Sequence, residues 1–350
     1  MKTQKLYSLE IIKAIGIILV INSHLDSLYK IPFIGTGGSL GNSLFFLASG
    51  IGLGYGWASH GPLPFAVWFK RRLLRIYPSL IILSIIASAF SPALFTQRTF
   101  AEGFAYFIYP TQYFFIAAII LFYIPAYFIL LFDSVKVIIG ALLASVSVYV
   151  AWYARLDLDV FTIEGGGFFR WVFYFIVFLI GILYARYKST PKTFISRNRL
   201  LTCLQCFIKS NIYKGLFLSI ALVGCAKIIF RLQLPYIMQY QFVIHILTLI
   251  LACYIFKAAD YLSDKIRNSK YAFPVISILS ATTLQLYLID YYTPLYIAPA
   301  NALIATLSSA LPVQFLIRLL AVSLVWCILL ASAVLLSKCS QYTVKKLFSS

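Results

Sequence analysis

Apolar segments long enough to cross a lipid bilayer recur from one end of this 350-residue chain to the other. A helix needs about 20 apolar residues to cross the hydrocarbon core. Ten segments meet or approach that length, at about 9–28, 38–57, 77–95, 105–132, 135–153, 168–187, 213–232, 236–257, 273–298 and 311–337. Hydrophobic residues make up 62% of the chain and charged residues only 11%, against about 25% charged in soluble domains. The sequence therefore predicts an all-α, polytopic membrane protein that forms one domain over residues 1–350.

Basic residues are concentrated in alternate loops, although the formal charge of the whole chain is +19. If the N-terminus lies in the cytoplasm and ten spans alternate, most of the 29 basic residues fall in cytoplasmic segments. This positive-inside pattern predicts that both termini are cytoplasmic. Membrane lipids are expected partners of the basic loops. Nucleic acid is not an expected partner, because the Lys and Arg residues do not line one polar face.

Two further features carry weaker expectations. Cys203 and Cys206 form a single Cys-x-x-Cys with no second pair and no nearby His, so no metal site is expected. The outer loop at 154–167 combines acidic residues with a glycine run. It can be a lid, an acceptor contact or a plain connector, and the plain connector is the favoured reading.

Ionisable residues inside a membrane span cost about 2.5–3.5 kcal/mol each, so each one needs a reason. Lys13 and His24 lie eleven positions apart in the first span, which places both on one helix face about 16 Å apart along the axis. A neutral imidazole can take a proton from a hydroxyl, and a cation can hold a phosphate. In the alternative reading Lys13 snorkels to the interface and His24 is only an interfacial polar residue. Asp26 can orient His24 only if the helix ends between them.

Three ordered motifs in the first 78 residues are similar to those of the acyltransferase 3 family of bacterial membrane proteins, which modify cell-surface glycans. The family has an Arg, ten residues and then a His, which Lys13 and His24 match except for the Lys. A glycine-containing stretch that ends in Phe-Phe-x-x-Ser-Gly matches residues 37–50. An Arg-Arg-x-x-Arg-Ile-x-Pro motif matches residues 71–78. The later chain resembles the family mainly in hydropathy.

The resemblance implies a membrane-bound O-acyltransferase, with His24 as the general base and an acyl-CoA, expected to be acetyl-CoA, as the cytoplasmic co-substrate. The implied acceptor is a hydroxyl of a surface or lipid-linked glycan, and the implied location is the bacterial inner membrane. Arg71, Arg72 and Arg75 would hold the coenzyme A phosphates with Lys13, and Asn42 and Ser43 would contact the acceptor. Transient acylation of His24 and formation of a homo-oligomer are left open.

Arginines 71, 72 and 75 can also be interpreted without the family. At spacings of three and four residues they would form one cationic patch on a helix. Anchoring to lipid headgroups is the simpler explanation of such a patch.

The chain departs from the family motif at two positions. Lys13 lacks the bidentate fork of the family Arg. The Tyr-Leu-x-His near the end of the family sequence corresponds here to Tyr287-Leu288-Ile289-Asp290, so Asp290 replaces a His. Tyr287 shares a helix face with Asp290 and is a candidate substrate contact. Asp290 can pair with Lys13, His24 or Arg318. It is either a catalytic residue or a plain interfacial acid without a catalytic role.

A rival function is transport or flipping of a lipid-linked saccharide. Such a transporter would show inverted repeats or paired broken helices, and neither is evident in the sequence. The departures at Lys13 and Asp290 also keep open a scaffold without activity.

Overall fold

All regular secondary structure in the described part of the chain is helical. The structure is a computed structural model and describes residues 6–29, 34–90, 99–158, 161–163, 167–189, 210–232, 234–307 and 311–348. The helices are α1 Tyr7–His24, α2 Gly38–His60, α3 Phe65–Leu73, α4 Tyr77–Phe90, α5 Phe100–Phe107, α6 Phe114–Leu131, α7 Val135–Tyr153, α8 Phe169–Ser189, α9 Ile212–Arg231, α10 Pro235–Met238, α11 Phe242–Arg267, α12 Ala272–Ala281, α13 Thr283–Asp290, α14 Thr293–Leu307 and α15 Leu311–Phe348. A 3-10 turn at Asp26–Leu28 follows α1.

Within these ranges, seven helices are long and apolar enough to cross a membrane, and nine spans result if each of two bent helix pairs counts as one. The bent pairs are α3 with α4 and α12 with α13. The protein is therefore a multi-pass membrane protein, as predicted. Helix α2 covers the expected segment 38–57 and is 23 residues long. Its glycines and serines lower its mean hydropathy, so it is not among the seven helices. Ten spans and cytoplasmic termini remain predictions.

Two predicted spans are interrupted. The segment 105–132 consists of α5 and α6, and Pro110 lies in the gap between them. The segment 273–298 is divided into α12, α13 and α14, with a bend of 61° between α12 and α13. Hydropathy does not detect such breaks, because apolar residues continue through them.

Packing divides the chain into two compact units. Unit A contains Met1–Gly16, Ser39–Pro62 and Ile124–Ile276, and unit B contains Ile17–Gly38, Leu63–Tyr123 and Ser277–Ser350. Helix α1 contributes to both. The single-domain expectation remains a prediction.

In unit A, α2 and α8 approach closely where small residues face each other. A Cβ atom added at Gly181 would lie 2.5 Å from the Leu47 carbonyl oxygen and 2.9 Å from the Ile51 nitrogen. A Cβ at Gly54 would lie 2.7 Å from that of Ala185. In lipid, van der Waals packing of this kind drives helix association, because lipid tails are as apolar as the side chains.

The loop between α7 and α8 in unit A is attached to the start of α11. The buried side chain of Gln241 accepts a hydrogen bond from the Ile163 nitrogen and donates one to the Phe161 carbonyl oxygen, each at 3.0 Å. Whether this loop is a lid, an acceptor contact or a connector stays a prediction.

In unit B, α15 packs against α4 and α13, and α13 also packs against α4. The buried Gln285 amide of α13 donates to the Ser79 hydroxyl of α4 at 2.9 Å. Helices α14 and α15 both contact the Asp26–Leu28 turn. The end of α1 is thus surrounded by helices from the C-terminal part of the chain.

The contact between α2 and α8 gives a stability prediction. Gly181→Ala should destabilise the protein by about 1–3 kcal/mol, because the new methyl group meets backbone atoms that cannot rotate away. Gly140→Ala in α7 is the matched control, since nothing lies within 4 Å of a Cβ atom there. Alanine has the higher helix propensity, so the control should be neutral or stabilising. Thermal unfolding of both variants in the same detergent tests this, and equal unfolding temperatures would contradict it.

Candidate active site

His24 and Asp290 form a hydrogen-bonded pair within unit B. The His24 Nδ1 atom lies 2.5 Å from the Asp290 Oδ2 atom. Since a carboxylate can only accept, Nδ1 carries the proton, which leaves Nε2 as the acceptor nitrogen of a neutral ring. The two residues are separated by 266 positions in the sequence. They meet because His24 is the last residue of α1 and Asp290 the last residue of α13.

The backbone explains why α1 ends at His24. The next amide, that of Leu25, is shared between the carbonyl oxygens of Ile21 at 3.2 Å and Asn22 at 3.3 Å. This shared bond leads into the Asp26–Leu28 turn. The Asn22 amide then holds the returning chain, by donating to the carbonyl oxygens of Ile34 at 2.7 Å and Thr36 at 3.2 Å. The position of the imidazole is therefore fixed from both sides of the turn.

Asp290 is almost completely enclosed, with 1% of its side chain exposed. Its second oxygen, Oδ1, accepts a hydrogen bond at 3.1 Å from the hydroxyl of Thr293, which is fully buried at the start of α14. Both carboxylate oxygens therefore have partners, which a buried charge requires. The chain Thr293–Asp290–His24 resembles the arrangement in which a buried acid orients a catalytic imidazole.

The imidazole of His24, by contrast, is 49% exposed. Its Nε2 atom makes no hydrogen bond to the residues that the structure describes. The ring is thus held through one nitrogen and open at the other, so it can receive a proton from a bound hydroxyl.

Asp26 does not orient this ring. Helix α1 does end at His24, as a role for Asp26 requires, but the carboxylate at Nδ1 belongs to Asp290. Asp26 is exposed in the following turn. Of the three partners considered for Asp290, the structure pairs it with His24; Arg318 instead donates to backbone carbonyl oxygens.

A cluster of tyrosines, Tyr106, Tyr113 and Tyr292, lies next to the pair in the same unit. The hydroxyls of Tyr106 and Tyr292 are hydrogen-bonded, and the Tyr113 hydroxyl donates to that of Tyr292 at 3.2 Å. Tyr292 follows Asp290 by two residues, outside the candidate spans. Burial, followed by the bond with Tyr106, raises the pKa of Tyr292. The Tyr292 hydroxyl therefore stays neutral at physiological pH.

Tyr287 lies on the same helix as Asp290, but its hydroxyl faces the start of α6. There it accepts a hydrogen bond at 3.0 Å from the amide of Phe115, and the two rings are in edge contact. The first amides of a helix have no partner within the helix. The hydroxyl therefore caps α6, and a role in substrate binding remains a prediction.

The arginines at 71–75 occupy the junction of α3 and α4. Helix α3 ends at Leu73, and the chain bends by 42° before α4. Arg71 and Arg75 are exposed, whereas Arg72 stacks on Trp68 at 5.4 Å and lies 5.9 Å from the Tyr123 ring centre. The expected continuous helical patch is therefore wrong. Two cations are open to an anion, and the third is held by aromatic rings.

The other predicted site residues lie in unit A. Lys13 is half-buried in α1. Ser43 is fully buried and donates to the Ser39 carbonyl oxygen at 2.9 Å. Asn42 has a buried Oδ1 atom with no hydrogen-bond partner among the described residues. Of this pair, only Asn42 has an unused polar atom.

Thr293 belongs to the site although no sequence motif singles it out. A Thr three residues after an Asp can be a local hydrogen-bond partner, but the apolar sequence around it predicts one uninterrupted span. Cys203 and Cys206 lie outside the described residues. In the described part, no group of three or more His, Cys, Asp or Glu residues could hold a metal ion.

The fold and the site together define a multi-pass membrane protein with a histidine–carboxylate pair at the end of a helix. The family model of acyltransferase 3, described as an acyltransferase domain, matches residues 6–336. The chain therefore belongs to the acyltransferase 3 family, and the resemblance seen in its motifs is confirmed. Neither the search of curated proteins nor the search of solved structures found a match.

The support that Thr293 gives to Asp290 can be measured. Thr293→Val keeps the shape of the side chain and leaves one oxygen of the buried carboxylate without its donor. It should lower the free energy of unfolding by about 1–3 kcal/mol. Thr293→Ser, which keeps the hydroxyl, should retain most of that stability. Thermal unfolding of the two variants provides the comparison, and equal losses would contradict a role for the hydroxyl.

Proposed function

We propose that this acyltransferase moves an acyl group, expected to be acetyl, from cytoplasmic acyl-CoA to a hydroxyl of a cell-surface or lipid-linked glycan. The pairing of His24 with Asp290 is the observation that carries the proposal. It provides an oriented base with an open acceptor nitrogen in a chain whose family performs acyl transfer. The proposed location is the bacterial inner membrane.

In the proposed reaction, His24 Nε2 takes the proton of the acceptor hydroxyl as its oxygen attacks the thioester carbonyl carbon. The tetrahedral intermediate then collapses, the carbon–sulfur bond breaks and the coenzyme A thiolate leaves. The proton on Nε2 passes to this thiolate, so the imidazole returns to its neutral form. Asp290 stabilises the imidazolium between the two steps and keeps Nδ1 as the donor.

The donor is proposed to bind through the phosphates of coenzyme A. Arg71 and Arg75 offer exposed guanidinium groups that suit phosphate oxygens. Arg72, stacked between aromatic rings, fixes this junction and adds positive charge. The roles expected for Lys13 at the donor and for Asn42 at the acceptor stay predictions of the sequence motifs.

The role of the pair is tested by acyl transfer from labelled acetyl-CoA with purified protein. His24→Ala and Asp290→Asn should each lower kcat by about 100-fold or more, because general base catalysis contributes about 10²–10⁴-fold. Asp290→Asn is nearly isosteric and can still accept from Thr293, so the fold should persist.

His60→Ala is the matched control, since His60 is exposed at the end of α2 and, in the described part of the chain, its ring is hydrogen-bonded to the Gly56 carbonyl oxygen of its own helix. It should keep full activity. Full activity in His24→Ala would refute the proposed chemistry.

The donor site gives a separate prediction. Arg71→Gln and Arg75→Gln should each raise KM for acetyl-CoA by about 2- to 5-fold with little change in kcat, because an exposed ion pair contributes up to about 1 kcal/mol to binding. Arg155→Gln, which removes an exposed Arg from the loop after α7, is the control. Unchanged KM values in both junction variants would leave the arginines as membrane anchors only.

A further inference from the structure

Arg318 extends from α15 to the turn that follows His24. Its Nη1 atom donates to the carbonyl oxygens of Leu28 at 3.1 Å and Ser27 at 3.4 Å. The side chain is half-buried and lies within the candidate span Val313–Lys346. All of these residues belong to unit B, together with His24 and Asp290.

The charge of Arg318 is not balanced by the described residues. Asp290 is committed to His24 and Thr293. Asp26 is exposed and forms no ion pair with Arg318. Two backbone carbonyl oxygens satisfy hydrogen bonds but supply no negative charge. A cation within a membrane span generally has a counter-ion, so an external anion is expected.

The geometry of the guanidinium indicates the kind of anion. The two bonds to the turn use Nη1 only, and among the described residues Nε and Nη2 make no hydrogen bond. These two N–H groups form the side edge of the planar fork, which binds a carboxylate or a phosphate through two parallel bonds. The bonds to Ser27 and Leu28 fix the position of the fork.

The free edge of the Arg318 guanidinium lies near the proposed acceptor site at His24. Ser27 follows His24 by three residues, which is one turn of 3-10 helix, or about 6 Å. A second polar group lies at the same turn: the Asn301 amide donates to the Ser27 hydroxyl at 3.1 Å, and its buried Oδ1 atom has no partner among the described residues. A charged guanidinium and a neutral amide together suit an oxyanion carried by a polyhydroxylated molecule.

We propose that Arg318 binds an oxyanion of the acceptor, so that the acceptor is an anionic saccharide with a phosphate or carboxylate near the acylated hydroxyl. This rests on the proposed acyl transfer at His24. Arg318 is then a specificity determinant: it holds the charged group one turn from the imidazole while Nε2 receives the hydroxyl proton.

The test measures binding without an acyl donor. The full chain in phosphatidylcholine nanodiscs is titrated with methyl glucoside, methyl glucuronide and glucose 1-phosphate. The wild type should bind at least one of the two anionic probes about tenfold or more tightly than the neutral one, since hydrogen bonds to charged groups are the strong ones. The probe that shows the preference identifies carboxylate or phosphate. No preference for either anionic probe overturns the proposal.

Variants separate charge from structure. Arg318→Gln keeps a polar side chain with N–H donors but has no charge, so it should abolish the preference. Arg318→Lys keeps the charge without the fork and should retain part of it. Arg155→Gln is the matched control and should retain all of it. An undiminished preference in Arg318→Gln overturns the proposal.

Two other results are decisive. If Arg318 instead binds a membrane phosphate, the wild type will enrich phosphatidylglycerol from mixed lipid more than Arg318→Gln does. It will then show no preference among the three saccharides, and this result refutes an acceptor site. Acyl transfer to the three probes is measured separately. Selective binding without any transfer supports the oxyanion site and refutes the proposed enzyme reaction, so the two failures are distinguishable.

Discussion

A carboxylate held away from water determines how the site in unit B is built. Asp290 is 1% exposed, and a buried charge is stable only when it is paired and hydrogen-bonded. Two partners meet that need, and each comes from a different helix: His24 from the end of α1 and Thr293 from the start of α14.

The two departures from the family motif have different consequences. Replacing the family His by Asp290 removes an imidazole but supplies an obligate acceptor for the Nδ1 proton of His24, which fixes the tautomer that a general base needs. In this chain the carboxylate therefore orients the ring of His24. Lys13 does not replace what the family Arg provides, since an ammonium cannot form the two parallel hydrogen bonds of a guanidinium. In the proposed donor site, phosphate binding would therefore depend on Arg71 in the last turn of α3 and Arg75 beyond it, both of which are exposed.

Hydropathy and short motifs in the sequence predict most of the helices and point to both members of the histidine–carboxylate pair. The apolar runs predicted the helical membrane protein because span length is set by bilayer thickness. The motif spacing singled out His24 and Asp290 separately. Their contact could not be deduced, because 266 positions separate them and three partners for Asp290 were equally consistent with the sequence. The break at Tyr291–Tyr292 is not predictable for a related reason: apolar residues continue through it, and only tertiary contacts decide where the helix stops. Pro110 does signal the other break, since a proline disfavours a continuous helix. The aromatic stacking of Arg72 also depends on Tyr123, a residue from a different helix.

The uneven exposure of the pair has a chemical consequence for any acyl transfer at this site. Asp290 is enclosed, but 49% of the His24 side chain is accessible, so water can approach Nε2 as readily as an acceptor hydroxyl. A base that activates either molecule would hydrolyse the thioester whenever the acceptor is absent. Selectivity for the acceptor over water must then come from binding: the bound acceptor has to displace water from the imidazole and hold its own hydroxyl there. Groups that bind the acceptor away from the reacting atoms would contribute to this choice without taking part in the proton transfer. The fixed fork of Arg318, one turn beyond His24, is suited to such a role, because an anion bound there would bring a single ligand to the open side of the ring.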